Sequence, residues 1–480
     1  MANSVHRSAR GELARPSSGL LAWVLVTALA AAGVAQPGSA RAATTPPPPL
    51  EGLNVVVIVI DTLGARQVGF LAPGRKTPNL DRLAAESVVF RRAYSTAPWT
   101  QPAVASLLCS RMPSAHGLTR LFDGLGEDQV TLAELLQERG LRTAGVVSHD
   151  LLGARFGFGQ GFQTFDESPI AGHQGISSEK VTDAALAQLR QLAGKSFFLF
   201  VHYFDPHYVY NHHEAFDQTS FYKGPLRPAM GIWDLLNLRP KLTDADVRFI
   251  AGLHAEEVAY TDHEVGRLLS GLRQSVAAGR TLLIVAADHG EAFMDHGWIG
   301  HTRTLYEELI HVPLLVSLPG VFPAHSVAEP VSLLDVVPTL LDMSRARPKT
   351  RTTQGASLLG VLLGRSAAPA GRPVLAEVSF GLQPDDPAYM VEKMAFKTSA
   401  IRGQLKVIHD LTSGRWEYYD LEADPLEAHG PIPLRQGAFL ELAERLLAWE
   451  RNRAGRGSAA PRVNPTDGER ESLRSLGYLQ

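Results

Sequence analysis

The chain has 480 residues, of which 45% are hydrophobic, so it is long enough for more than one domain and can bury a large core. Its formal net charge of −3 is near neutral, which argues against a nucleic-acid partner and against an acidic scaffold. We therefore expect one large α/β unit followed by a smaller domain.

Residues 1–42 have the pattern of an export signal. An arginine-rich polar start precedes the apolar run from Leu20 to Ala35, and Ala40-Arg41-Ala42 then offers a small-x-small cleavage site. The run is short for a membrane span, which usually needs about 20 residues, and an uncleaved anchor is the alternative. The pattern predicts export to the periplasm or the cell exterior.

Residues 43–52 contain consecutive prolines and are predicted to form a stiff, extended linker. The single cysteine, Cys109, excludes an intrachain disulfide, and we expect no stable disulfide partner.

Several short apolar runs along the chain end in polar residues. Asp61, His149, His207 and Asp288-His289 each follow such a run closely. Runs of this kind are typical of strands that are buried on both faces of a mostly parallel sheet. The predicted strands are Asn54–Ile60, Thr143–Val147, Phe197–Phe204 and Thr281–Ala287.

Helix-like patterns alternate with these strands. One begins at Thr77-Pro78, another contains Leu132 and Leu136, and a long one begins at Thr243 and runs to about Leu272. Alternation of this kind predicts a doubly wound α/β sheet between helices, in which functional groups gather beyond the carboxyl ends of the strands. We assign this α/β domain to residues 53–345.

Residues 346–480 are predicted to form a smaller α+β domain. Short strand-like pieces follow one another there, and a helical stripe that includes Phe439, Leu442 and Leu446 comes after them. This pattern indicates an antiparallel sheet with one helix packed on it.

Asp61 and the Asp288-His289 pair are candidate metal ligands. Carboxylate oxygens with an imidazole suit zinc, manganese or, with less nitrogen, calcium. The alternative is that each aspartate caps the following helix. Two such strand ends in one parallel sheet favour the metal.

Thr100 is the candidate nucleophile. It lies where a helix is expected to begin, with Pro102 in the first turn, and the positive end of a helix stabilises an oxyanion. A hydroxyl there can attack a phosphorus or sulfur centre if a metal lowers its pKa. The alternative is that Thr100 serves only as an N-cap.

Histidines supply the remaining candidates. His207, His296 and His301 lie near strand ends or in the loop after Asp288, where imidazoles bind metals or protonate leaving groups. His202 falls inside a strand, and we expect it to pack in the core. His212, His213 and His254 are expected to be surface or structural residues.

The order and spacing of these motifs resemble the sulfatase-like family of the alkaline phosphatase superfamily. The resemblance covers about residues 53–480, so residues 53–345 would be a sulfatase-like catalytic domain. The matching motifs are the strand ending at Asp61, Thr77–Leu83, Ala93–Pro98, Asp205–His207, Asp288–Glu291, Leu305–Glu308 and Tyr419–Leu421.

The resemblance implies an alkaline-phosphatase-like fold and a divalent metal cation held by Asp61, Thr100, Asp288 and His289. His207 and His301 would contact the ester or its leaving group. We also expect substrate contacts from two further histidines, His149 and His296.

The nucleophile motif departs from that family. Sulfatases carry a cysteine or serine in a Cys/Ser-x-Pro-x-Arg motif, which is converted to formylglycine. This chain reads Thr100-Gln101-Pro102-Ala103-Val104, and threonine is not a substrate for that conversion. Ser148 and His301 stand where many sulfatases have lysines, and Thr62 replaces a second aspartate.

These departures favour a metal-dependent phosphoester hydrolase, acting on a small-molecule, glycan or lipid ester. The alternatives are a true sulfatase that uses unmodified threonine, a catalytically silent surface binding protein, and a transferase. The last is disfavoured because no transmembrane helices follow the signal.

Overall fold

A computed structural model describes residues 48–170, 175–275, 278–344, 353–368, 371–380, 395–433, 437–453, 457–468 and 470–471. The predicted signal peptide, residues 43–47 of the linker and the predicted domain boundary at residue 345 lie outside these residues. No helix in the described ranges is long and apolar enough to cross a bilayer.

The large sheet is built around β1 (Asn54–Ile60), whose Val and Ile side chains are all buried. It runs parallel to and between β5 (Phe197–Tyr203) and β6 (Thr281–Ala287), which are buried along their whole length as well. β-branched residues fit this two-sided burial because they pack well on a pleated surface. β1 and β6 have the predicted bounds.

The described part of this sheet has nine strands in the order β10-β2-β9-β6-β1-β5-β3-β4, with β11 also paired to β2. Of these strands, β9 runs antiparallel to its neighbours β6 and β2. The others are β2 (Val88–Tyr94), β3 (Arg142–Val146), β4 (Thr164–Asp166), β9 (His311–Ser317), β10 (His325–Val327) and β11 (Val331–Ser332). A two-stranded ribbon is formed by β7 (Ala292–Phe293) and β8 (Ile299–Gly300).

The helices of the large domain form two packed groups. The long α7 packs against α1 and α5, while α2 packs against α3, α4 and α9. Thr243 caps α7 through a capping box with Asp246, as the sequence predicts. The helices are α1 (Pro78–Ala84), α2 (Thr100–Cys109), α3 (Pro113–His116), α4 (Leu132–Gln137), α5 (Ser178–Gln191), α6 (Ile232–Leu238), α7 (Asp244–Gln274), α8 (Glu307–Ile310), α9 (Val336–Met343) and α10 (Leu359–Leu362).

The smaller sheet is an antiparallel meander with α11 (Ala438–Arg453) packed on its middle strands. Leu442 and Leu446 of α11 are fully buried against Ala400 and Val407 of the sheet. The predicted architecture, a mostly parallel sheet between helices with a smaller α+β domain, is confirmed. The strands are β12 (Val374–Phe380), β13 (Ala395–Arg402), β14 (Leu405–Asp410) and β15 (Trp416–Asp420).

A buried ion cluster joins the two sheets. Lys406 of β14 has no exposed surface, and its Nζ lies 3.0 Å from Glu307 Oε1 and 3.0 Å from Glu427 Oε1. Burial lowers the pKa of Lys406, but the charges of Glu427 and Glu307 outweigh burial and raise it above its usual value. The lysine is therefore charged, and it is the counter-ion shared by two carboxylates that are themselves out of water.

His296 belongs to this junction, which corrects its predicted substrate contact. Its Nδ1 is 3.0 Å from Glu308 Oε1, and its Nε2 is 2.9 Å from the carbonyl oxygen of Glu427. Both ring nitrogens are thus engaged by protein atoms, and neither is left for a substrate. The ring also stacks on Tyr306, with centroids 3.7 Å apart.

We predict that Lys406→Met lowers the free energy of unfolding by about 3–5 kcal/mol, because it removes the counter-ion that two buried carboxylates share. Arg445→Met is the matched control, since Arg445 and Glu441 form an exposed pair that should contribute little. Denaturant titration measures both variants. Equal effects of the two substitutions would show that Lys406 is not an essential counter-ion.

The His296 contacts predict a pH-dependent contribution to stability. Partial burial lowers the pKa of His296, but the hydrogen bond and charge of Glu308 outweigh it and raise the pKa to about 9. Because this exceeds the unfolded value of about 6.5, the stabilisation should be complete below about pH 6.5 and be lost as the pH rises through about 9.

The measurement is the difference in unfolding free energy between the wild-type protein and His296→Gln, which should shrink over that pH range. His429→Gln is the control, because the His429 side chain is 84% exposed and its pair with Asp424 is screened by solvent. A pH-independent difference for His296→Gln would contradict the assignment.

Candidate active site

The register of three parallel strands creates the site. Ile60 of β1 pairs with Ala287 of β6, so Asp61 and Asp288 leave the sheet side by side. Val59 pairs with His202 of β5, and because side chains alternate between faces, His202 lies on the same face as Asp61. Ligand atoms of Asp61, His202 and Asp288 all lie within 4.8 Å of one another.

These side chains are fully buried, yet several of their polar atoms have no hydrogen-bond partner in the described part of the chain. The atoms are Asp61 Oδ1, Asp288 Oδ2 and both ring nitrogens of His202. His289 Nε2 lies 3.5 Å from Asp61 Oδ1 and 3.7 Å from Asp288 Oδ2. Buried polar atoms are nearly always bonded, so a cluster of bare ligand atoms is the mark of a cation site.

Electrostatics support the same interpretation. Burial raises the pKa of Asp61 well above its usual value, and the negative charges of Asp288 and Glu291 raise it further. Burial also lowers the pKa of His289 to about 4, so its imidazole is neutral. Neutral imidazole with adjacent carboxylates is the donor set that zinc and manganese accept, and a divalent cation would offset the repulsion between the carboxylates.

Thr100 begins α2 and lies against this cluster. Its Oγ1 is 3.3 Å from Asp61 Oδ2 and 3.3 Å from His289 Nε2, with no exposed surface. The N-cap position is occupied by Trp99, so the hydroxyl of Thr100 does not serve as the cap of its own helix. The positive end of α2 therefore lies beside a hydroxyl and the candidate metal ligands.

Three further histidine rings gather next to these residues. The His301 ring is centred 4.5 Å from His289 and 4.9 Å from His207, and His149 lies 6.0 Å from His207. Burial lowers the pKa of His207 well below its usual value, and the neighbouring histidines lower it further. The predicted residues His149, His207 and His301 are thus brought together with Thr100, whereas His296 is not.

A buried carboxylate orients His301. Its Nδ1 is 2.9 Å from Glu291 Oε1, and the hydroxyl of Tyr210 donates to Glu291 Oε2 over 2.9 Å. Burial raises the pKa of Glu291 to about 8. The imidazole is held by its Nδ1 side, which turns Nε2 to the opposite side of the ring.

Backbone strain collects around the same residues. Thr62, Met294, His296 and Thr302 have φ values of 52°, 66°, 49° and 84°, in the left-handed region that non-glycine residues rarely adopt. Gly290 is required for a different reason, because a Cβ there would lie 2.1 Å from the carbonyl oxygen of Glu308. The loop after Asp288 is therefore held in one conformation by close packing.

Sequence reasoning missed three residues of the site. His202 was expected to pack in the core, but it adjoins Asp61 Oδ2 at 3.7 Å. Glu291 and Tyr210 were given no role. The role of His202 depends on the strand register, which the sequence does not give. The available sequence signal is a histidine two residues before the end of the predicted strand Phe197–Phe204, close to where site residues are expected. His254 is fully buried, which is consistent with the structural one of its two expected roles.

Comparisons with known proteins point to one family of hydrolases. The sulfatase family profile matches residues 53–345, and the profile described as N-sulphoglucosamine sulphohydrolase, C-terminal, matches residues 294–446. An N-acetylglucosamine-6-O-sulfatase of Bacteroides thetaiotaomicron is 25% identical over 439 residues, covering 73% of this chain and 77% of the relative. A choline-sulfatase of Rhizobium meliloti is 25% identical over 453 residues, covering 78% and 81%.

The phosphonate monoester hydrolase of Agrobacterium radiobacter has the same fold. Its crystal structure superposes with a TM-score of 0.67 at 19% identity and covers 86% of this chain and 100% of its own. Because the sulfatase profile spans more than half of the sequence, the chain belongs to the sulfatase family of ester hydrolases.

Proposed function

We propose that this protein hydrolyses phosphate esters with Thr100 as the nucleophile. The observation that carries the proposal is the position of Thr100 Oγ1, 3.3 Å from both Asp61 Oδ2 and His289 Nε2 at the start of α2. A hydroxyl so placed adjoins candidate metal ligands on one side and the positive end of a helix on the other.

The proposed cation ligands are Asp61, Thr100, Asp288 and His289, to which the geometry adds His202. A divalent cation bound there would lower the pKa of the Thr100 hydroxyl and withdraw charge from the ester oxygens. The imidazoles favour zinc or manganese over calcium, which prefers a shell of oxygens.

In the proposed reaction, the Thr100 hydroxyl first loses its proton to solvent, and the resulting alkoxide Oγ1 forms a bond to phosphorus while the bond from phosphorus to the leaving oxygen breaks. His301 donates a proton from Nε2 to that oxygen, and Glu291 keeps the ring in place through Nδ1. His207 and His149 contact the ester. Water then hydrolyses the phosphothreonine, and its proton returns to His301.

Two side chains favour phosphate over sulfate. Val104 is a buried apolar residue of α2, and the hydroxyl of Ser148 donates to the carbonyl oxygen of His202 over 2.9 Å. Neither supplies the positive charge found at those positions in many sulfatases. Sulfated threonine also lacks the gem-diol route by which formylglycine releases sulfate, whereas water can hydrolyse a phosphothreonine.

A sulfatase that uses unmodified threonine is the second candidate. The observation in its favour is that two curated relatives are named as sulfatases of N-acetylglucosamine and choline esters. Those names also support a small-molecule or glycan ester as the substrate of this chain.

We predict that Thr100→Ala reduces the rate of the chemical step by orders of magnitude, because the attacking oxygen is gone. Thr100→Ser should keep part of the activity. Enzyme quenched during turnover of an aryl phosphate should carry phosphate on Thr100, detectable by mass spectrometry of its peptide.

Thr131→Ala is the matched control, since the Thr131 hydroxyl caps α4 and its loss should cost about 1 kcal/mol of stability without loss of activity. Full activity of Thr100→Ala would disprove the mechanism. A clear preference for sulfate esters would favour the second candidate.

We predict at least one tightly bound divalent cation, measured by elemental analysis and by melting temperature. Asp288→Asn should release the cation. Chelation should lower the melting temperature of the wild-type protein, because the buried carboxylates then repel.

His212→Ala is the control, because His212, Asp217 and Glu256 form the other group of potential ligands in the described residues. Their oxygens already accept hydrogen bonds, so the metal content of this variant should be unchanged. Metal-free protein with unaltered melting temperature and activity would disprove the metal site.

We propose that the protein is exported and cleaved near Ala43, on the pattern of residues 1–42. Amino-terminal sequencing of the protein from the cell exterior or periplasm should find a start near Ala43. An intact Leu20 to Ala35 segment in the membrane fraction would show an anchor instead.

A further inference from the structure

Gln101, the residue that follows Thr100, is a fully buried amide in the first turn of α2. Its Nε2 donates two hydrogen bonds to backbone carbonyl oxygens, over 2.9 Å to Asp123 and over 3.2 Å to Leu151. Because a carbonyl oxygen can only accept, the amide nitrogen must face both partners, and this fixes the orientation of the side chain. One side chain therefore ties the start of α2 to two separate loops.

The loop that contains Leu151 also positions His149. Residues Asp150–Leu152 form one short helical turn after His149, whose Nδ1 accepts a hydrogen bond from the Leu151 N–H over 3.0 Å. Since Nδ1 is an acceptor, the neutral imidazole carries its proton on Nε2 and can donate from there. The ring centre lies 6.0 Å from that of His207. A shift of Leu151 would therefore displace one of the histidines of the candidate active site.

The loop that contains Asp123 is held in place by a segment from far along the chain. The N–H of Gly124 donates to the carbonyl oxygen of Pro461 over 2.8 Å, and the N–H of Val463 donates to that of Phe122 over 2.9 Å. Phe122 has a φ of 68°, in the left-handed region, and such a conformation persists only where neighbours enforce it. The Asp123 carbonyl is thus a fixed anchor for the first turn of α2.

The Gln101 amide also carries an unpaired acceptor. Its Oε1 is buried and has no hydrogen-bond partner within the described ranges. Methionine, an apolar side chain of similar length, would fill this place without burying a bare oxygen, so packing alone does not account for a glutamine. What glutamine adds is a pair of N–H donors, and both of them join α2 to the loops beside the site.

We propose that Gln101 is a positioning residue that fixes the spacing between the Thr100 hydroxyl and the His149 ring. The link runs from the backbone of Thr100 into the Gln101 side chain, and it continues through Leu151 to His149. Attack on an ester needs the nucleophile and the groups that hold the ester in register, and an error of about 1 Å can slow a reaction about a hundredfold. The inference deepens the proposed function and rests on it for the roles of Thr100 and His149.

The kinetic test measures kcat and KM of Gln101→Met with nitrophenyl phosphate and with nitrophenyl sulfate. On the better ester we expect kcat to fall about tenfold or more, because the nucleophile and the ester are misaligned, and KM to change by less than about threefold. The melting temperature should stay within about 3 °C of the wild-type value, since the lost hydrogen bonds are offset by removal of the bare oxygen. An unchanged kcat, or a fall matched by an equal loss of folded protein, would overturn the proposal.

Gln160→Met is the matched control. The Gln160 Nε2 donates to Glu134 Oε2 over 2.8 Å at the capping box of α4, so this amide makes a bond of the same kind that leads to α4 and not to the site loops. Its kcat should equal the wild-type value. A loss as large as that of Gln101→Met would show that the effect is not specific to Gln101, and the proposal would be wrong.

A double-mutant cycle tests whether the effect passes through His149. In the His149→Ala background, Gln101→Met should lower kcat by a smaller factor than in the wild-type enzyme, about threefold or less, because the ring that it positions is gone. The remaining factor reports the Thr100 end of the link. Equal factors in the two backgrounds would contradict a link between Gln101 and His149.

Hydrogen exchange separates this inference from the proposed chemistry, because it needs no substrate. In Gln101→Met the backbone amides of residues 149–153 should exchange about threefold faster or more, whereas Gln160→Met should leave them unchanged. Faster exchange with a reduced kcat supports the link even if Thr100→Ala is fully active, a result that would refute only the nucleophile. Unchanged exchange would refute the link and leave the role of Thr100 intact.

Discussion

The structure depends on the alignment of three parallel strand ends, β6, β1 and β5, at one edge of the sheet. That register places Asp61 and Asp288 side by side with no access to water. Two carboxylates in such a place repel each other and are poorly solvated, so burial raises the pKa of Asp61 well above its usual value. The residues around the two carboxylates can be understood by how they accommodate this concentrated negative charge.

The residues around these carboxylates are neutral histidines and candidate metal ligands, and they bring no fixed positive charge. His207 and His289 have lowered pKa values because they are buried, so at neutral pH they are donors and acceptors without charge. Under the proposed function, the reacting centre is left to the strand-end carboxylates and the cation that they would bind.

Much of the frame is readable from the sequence because its signals are local. β1 and β6 are runs mostly of Val, Ile, Leu and Ala whose bounds follow from composition alone, and Thr243 marks the start of α7 by a capping box. The strand-end rule then collects Asp61 and Asp288 at one edge. None of these inferences depends on the order of the strands in the sheet.

What the sequence could not supply is pairing between distant segments. His202 contacts the carboxylates because Val59 pairs with it, and a shift of one residue would turn its ring to the other face of the sheet. The antiparallel direction of β9 likewise depends on which strands it pairs with, which the sequence of β9 does not show. His296 lies in the histidine-containing loop of the predicted site, but its ring contacts Glu308, 12 residues away, and the Glu427 carbonyl, 131 residues away.

The position of His296 also shows how the small sheet supports the site. One loop, from Glu291 to Glu308, carries Glu291 and His301 on the pocket side and His296, Glu307 and Glu308 on the junction side. Left-handed backbone at Met294, His296 and Thr302 costs about 1–3 kcal/mol for each residue, and such conformations persist only where neighbours enforce them. The bond from His296 to the Glu427 carbonyl and the ion pair from Lys406 to Glu307 are such enforcing contacts, and both come from the small domain. The geometry of His301 is therefore set jointly by Glu291 within the loop and by the small domain that holds the loop from outside.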